Sequence, residues 1–127
     1  MQQAANAYAR VAQATQSPRE LEAAVLLKAA SRLQALRDDW QGRRSDLDEA
    51  LTYNRKLWTI LVTSVTDADN PLPVAIKNNI ANLAIFVFER TITVMTEPGP
   101  DKLGALVTIN REIAAGLRAQ PQTATAG

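Results

Sequence analysis

The side chains in this chain with the most capacity for chemistry are carboxylates, and they gather in three places: Asp38-Asp39, Asp46-Asp48-Glu49 and Asp67-Asp69. Paired carboxylates can serve as general acid and base, or hold a hard cation. Each cluster also has a simpler use. The first falls where a helix ends, the second at a helix start and the third among turn formers, so dipole, capping and turn roles account for all three. Asp67-Ala68-Asp69-Asn70 is faintly similar to a calcium loop, but no glycine sits at the turn and no glutamate follows at the required spacing. The chain has no cysteine and no histidine, which removes thiolate nucleophiles, imidazole acids and bases, and the usual zinc sites. Its five glycines never form a phosphate cradle. The expectation is a protein that is not an enzyme, with no catalytic residue, metal or cofactor. Arg37, Arg43 and Arg44 lie close together around a helix end, with Trp40 the one aromatic nearby. Fourteen basic against thirteen acidic residues give a net charge of +1, so no concentrated basic face is expected and a nucleic-acid partner is not.

The 127 residues suit one domain, here expected over residues 1–120 with a polar tail at 121–127. With only 5% aromatics, its core must be aliphatic. Residues 2–14 form a short Ala- and Gln-rich first helix whose only large apolar groups are Tyr8 and Val11. Ser17-Pro18-Arg19-Glu20 is a capping box with proline at the first helical position. The helix it starts carries Leu21, Val25, Ala29, Leu33, Leu36 and Trp40 on one face, with Leu27 opposite and Gly42 at the end. A second start at Ser45-Asp46 leads into a face of Leu47, Leu51, Leu57, Trp58, Leu61 and Val65. The segment Asp67–Pro73 is a firm break, as is Glu97-Pro98-Gly99-Pro100, after which Asp101 can cap a last helix bearing Leu103, Leu106, Val107, Ile113, Ala114 and Leu117. No stretch alternates with period two. Four main helices plus the short one describe an all-α fold, a small helical bundle.

Between the two breaks lies the most apolar segment, Pro71 to Thr96. At 100° per residue, Ile76, Ile80, Leu83, Val87 and Val94 fall on one line and Ile85, Phe88, Ile92 and Met95 on a second. Together they span roughly 200°, wider than the single stripe of a surface helix, so neighbours are expected on two sides. Phe86 projects toward the polar strip of Asn78, Asn82, Glu89, Thr93 and Thr96. An open side near Phe86 would make the helix the floor of a groove for a partner helix.

Residues 47–61 and 103–117 align without gaps and share Leu, Thr, Asn, Arg and Leu at matching positions. Amphipathic helices resemble one another, which is one explanation. The other is that Asn54 and Asn110 pair across the core, since a buried polar side chain needs a partner and can fix register.

Four stretches in order, AYARVAQATQSPRELEAAVLLKAASRL, NRKLWTILVTSVTDADNPLP, IKNNIANLAIFVFERT and LVTINREIAAGLR, resemble the FlaF family of flagellar biosynthesis regulators over about residues 7–118. The resemblance implies a cytoplasmic bacterial protein that binds flagellin and chaperones its helical terminal region until export. It also admits another flagellar regulator as partner and, as an alternative, post-transcriptional control of flagellin messenger RNA, directly or through a partner protein. A cytoplasmic, non-membrane location agrees with an N-terminus lacking a basic start and apolar h-region, and with polar interruptions of the longest apolar run. The resemblance supplies no site residues, so partner-binding candidates rest on physical grounds: Phe86 and Leu27 as apolar groups off their main faces, Tyr8 and Val11 on the first helix, and Arg90 and Arg111 as reaches toward a partner's carboxylates.

Overall fold

The structure, a computed structural model, describes residues 17–120. The short helix expected over 2–14, with Tyr8 and Val11, lies outside the described residues, as does the segment 121–127. Within them the fold is all-α: α1 Pro18–Asp38, a single turn α2 Trp40–Arg43, α3 Leu47–Thr66, α4 Val74–Thr96 and α5 Gly104–Arg118, with 3₁₀ turns at Arg44–Asp46 and Pro100–Leu103. No helix is long and apolar enough to cross a membrane among the described residues.

Local chemistry explains most boundaries. Ser17 Oγ accepts the Glu20 N–H at 3.4 Å, and Pro18 occupies the first helical position. The capping box is only half made, because the Glu20 carboxylate turns away to Arg118 Nε at 3.3 Å and ties the start of α1 to the end of α5. Asp39 stops α1 and caps α2, its Oδ1 accepting the Gly42 N–H at 3.3 Å. The helix expected to run to Trp40 thus breaks one residue earlier and restarts as a single turn that contains Gly42. Asp67 and Asn70 spend their side chains on the next turn, accepting the N–H of Asp69 and of Leu72, each at 2.9 Å. Asp101 does not cap α5; it lies in the 3₁₀ turn that runs directly into the helix.

The hub of the bundle is α1, not the segment that begins at Pro71. α1 packs along α5 over the greatest length and also against α3, while α4 packs on α3 and touches α5 only sparsely. Ala23, Leu26, Ala30 and Leu33 of α1 are buried with Leu51, Leu61, Leu106, Val107 and Leu117 in a single aliphatic cluster, and Trp58 is its one fully buried aromatic. Arg19 extends the buried stripe of α1 to its first turn, where it is 4% exposed and pairs with Glu22 at 3.3 Å.

At the centre of this apolar cluster sits a polar node. The Trp58 indole N–H donates to Asn110 Oδ1 at 2.8 Å. Asn110 Nδ2 donates to Asn54 Oδ1 at 2.7 Å, and more weakly to the Leu26 carbonyl at 3.4 Å. Asn54, Trp58 and Asn110 are all fully buried. One carboxamide on α5 therefore engages two side chains of α3 and the backbone of α1. Asn54 Nδ2 is the only node donor without an acceptor.

Replacing Asn110 by Leu would strand the indole N–H and the Asn54 carbonyl in an apolar interior. Asn110→Leu should lower unfolding stability by about 3 kcal/mol in urea titrations, since each abandoned buried group costs about 1–3 kcal/mol. Trp58→Phe should cost less in the Asn110→Leu background than alone, with a coupling of about 1 kcal/mol or more in the double-mutant cycle. Additive losses would contradict the node.

Candidate partner-binding face

α4 buries one narrow stripe, Ile80, Ala84, Val87, Thr91 and Val94. Thr91 is tolerated there because its hydroxyl donates to the Val87 carbonyl at 2.7 Å. The second apolar line is not covered. Ile85 is 59% exposed, Ile92 61% and Met95 44%, with Phe88 half-buried between them. The expectation of neighbours on two sides is therefore corrected for the described residues: α3 covers the first line, and among the described helices none packs along the second, since α5 approaches α4 only sparsely.

Val74, Asn78, Ala81, Ile85, Phe88, Ile92 and Met95 follow one another at spacings of 4, 3, 4, 3, 4 and 3, a heptad seam in which no residue is buried. It lies roughly 100° around the helix from the buried stripe at 100° per residue. Four exposed threonines of α3 and α4 satisfy their hydroxyls within their own helices. The Thr59, Thr63, Thr93 and Thr96 hydroxyls donate to carbonyls four residues back, at 2.8–3.1 Å, and so leave their methyl groups outward. Asn78 makes the first half of the line polar, and its second half, Ile85, Phe88, Ile92 and Met95, is the apolar form a coiled-coil partner would fill.

The individually chosen residues fare differently. Phe86 lies on the opposite flank of α4 from the seam at that helical step. It is 37% exposed, with the Arg90 guanidinium 5.0 Å from its ring centroid. Arg90 also donates through Nη1 to the Lys102 carbonyl at 3.3 Å. These two residues thus brace the 3₁₀ turn before α5. Leu27 is half-buried and packs against the core. Arg111 is exposed on α5. None of these residues joins the seam; the periodicity placed Ile85, Phe88, Ile92 and Met95 on one line but did not show their exposure.

Two recesses flank α1. A cavity of about 500 Å³ lies between the second half of α1 and the start of α3, bordered by Lys28, Arg32, Arg43, Asp46 and Glu49. Its charges largely offset one another, since Arg32 pairs with Glu49 at 3.1 Å and stacks over Tyr53 at 5.0 Å. Burial raises the Tyr53 phenol above its ordinary pKa, and Arg32 partly opposes the rise. Near the start of α1 a smaller groove of about 80 Å³ is lined by Val25, Leu26, Leu57, Ile60 and Leu61, with Glu22 and Ser64 at its rim. Among the described residues no three His, Cys, Asp or Glu side chains are placed to hold a metal.

The fold and site define a small all-α bundle, locked by a buried polar node and open along one apolar helix face. The sequence model of the Flagellar protein FlaF family matches residues 4–117, and the chain belongs to that family: it is a flagellar protein. Neither the curated proteins nor the solved structures contain a significant match.

Burial raises the pKa of Glu22 above 4.5, partly opposed by the charge and hydrogen bond of Arg19. A raised native pKa favours the protonated folded state, so this contribution to stability is fully present below about pH 4.5 and is lost as pH rises through the native value. The stability of the wild type relative to Glu22→Gln should therefore decline with rising pH across that window in urea titrations. A difference that does not change with pH would contradict this.

Proposed function

We propose that this protein is a flagellin-binding export chaperone, which holds a helical terminal region of flagellin along the exposed seam of α4. The observation that carries the reading is the unburied heptad line from Val74 to Met95. Membership of a flagellar family gives the partner its context, and helix-on-helix packing gives the mode: apolar side chains of a partner helix at heptad spacing seat between Ile85, Phe88, Ile92 and Met95.

The chemistry suits a temporary hold. Ile85, Ile92 and Met95 are already about half-shielded by their own helix, so completing their burial adds about 1 kcal/mol each, with a similar gain from the partner's side. After the cost of association and helix ordering, such a face supports micromolar binding that an export apparatus can reverse. In the cytoplasm the complex would keep the apolar helices of flagellin from one another. A second flagellar regulator that binds the free and the flagellin-occupied forms with different affinity would link flagellin synthesis to its export, because only differential binding can shift such an equilibrium.

The test is co-elution with flagellin on size exclusion at micromolar concentration. Wild type should form a stoichiometric complex, and flagellin lacking its terminal helical regions should not. The Ile85→Asp/Ile92→Asp double variant should lose at least about 100-fold in affinity, near 3 kcal/mol, with unchanged helicity by circular dichroism because both side chains are exposed. Phe86→Asp, on the other flank, should lose less than about tenfold. Separate elution of wild type and flagellin would refute the proposal, as would a double variant that binds like wild type. A dimer through the same face that flagellin leaves intact would also refute it.

A further inference from the structure

We infer that two free copies of this chain pair through the seam of α4 as a parallel, in-register coiled coil, with Asn78 against Asn78. The spacing assigns heptad places. Asn78, Ile85 and Ile92 fall at successive a positions, and Ala81, Phe88 and Met95 at the d positions that follow them. β-Branched side chains at a favour two strands, and a single asparagine at an a position sets register and oligomeric state in such pairs. Asn78 is exposed, as are Ile85 and Ile92 at 59% and 61%.

That asparagine makes a second copy, rather than an arbitrary apolar helix, the fitting occupant. In a parallel pair the two-fold axis brings each Asn78 carboxamide to its own equivalent, where one donates and the other accepts. Run antiparallel, each would face an apolar side chain and lose its water bonds without replacement. The flanking positions are compatible too. Lys77 at g meets Asn82 of the second copy at e, and Ala84 meets its Glu89, so no like charges oppose one another.

The rest of α4 leaves the approach open among the described residues. The buried stripe of Ile80, Ala84, Val87, Thr91 and Val94 takes the c and g positions, against α3. Phe86 and Arg90, which brace the 3₁₀ turn, take b and f, away from the seam. From Val74 to Met95 the seam runs about 32 Å at a rise of about 1.5 Å per residue. Phe88 and Met95 stand where tight dimers carry leucine. A contact of that length and composition belongs with small interfaces, below about 1,200 Å² in total, so the pair is weak and exchanging. The free chain thus covers its own apolar line until a helix of higher affinity arrives. Flagellin on the same line would exclude the second copy; this competition rests on the flagellin-binding role, and the pairing does not.

Sedimentation equilibrium of the full-length chain without flagellin should show a reversible monomer–dimer equilibrium with a Kd of about 10–100 μM. Asn78→Asp and Asn78→Lys should each weaken it at least about tenfold, because like charges meet across the axis. Their equimolar mixture should pair at least about tenfold more tightly than either alone, since only a parallel pair in register sets residue 78 against itself. Both variants should keep wild-type helicity, because Asn78 is exposed. Added flagellin should convert the dimer to a complex with one copy of this chain per flagellin. A wild type still monomeric at about 1 mM, as it would be with the seam covered from within its own chain, would overturn the inference and leave the flagellin-binding role standing. A dimer indifferent to both charges, or a mixture that pairs no better than each variant alone, would also overturn it. Charge-swap rescue in a dimer that flagellin leaves intact would uphold the pairing and refute the flagellin-binding role instead.

Discussion

A single carboxamide, that of Asn110, sits where three helices converge. Its oxygen takes the Trp58 indole proton and its nitrogen serves Asn54, with the Leu26 carbonyl at longer range. Aliphatic side chains alone specify volume better than position, and a core with 5% aromatics has few rigid shapes to set the register of its helices. A directional polar contact in a low-dielectric interior supplies what the aliphatics lack: sliding α5 by one residue would strand buried donors and acceptors, each costing about 1–3 kcal/mol. The node thus fixes α1, α3 and α5 against one another. The Glu20–Arg118 pair ties two of these helices, α1 and α5, at the exposed end, where an ion pair contributes at most about 1 kcal/mol.

α4 takes no part in the node, and that division has a consequence. It is held by one stripe against α3 and by the Arg90 contact to the 3₁₀ turn, so the fold's integrity does not require its second apolar line to be covered. A surface can be left open for a partner at little cost to the frame only if the frame is closed elsewhere.

Much of this was legible in the sequence, for definite reasons. Ser17-Pro18 and the Asp67–Pro73 and Glu97–Pro100 breaks act through local sterics and short-range hydrogen bonds, and the helices start and stop within a few residues of where those signals stand. The placement of Asn54 and Asn110 at equivalent points of two apolar faces singled them out as a pair. The exposure of Ile85, Ile92 and Met95 was not legible, because a helical wheel records which residues share a line but not how many neighbours the tertiary fold provides. Width of apolar surface looked like centrality. It marks an edge helix with an uncovered seam, while the narrower-looking α1, rich in alanine, is the hub because small side chains let α5 approach closely. Phe86 drew notice as an aromatic off the pattern, and Arg90 four residues on, whose guanidinium stacks on it, gives it a local role.

The chain holds two methionines, Met1 and Met95, and the second is in the seam. Carbon-13 methyl labelling of methionine and of isoleucine, followed during titration with full-length flagellin, would report that face directly. If the seam of α4 is the partner site, the Met95, Ile85 and Ile92 methyl signals shift together and saturate at one equivalent, while buried Ile80 and Ile113 move little. Saturation of binding with those three signals unmoved would contradict the central claim.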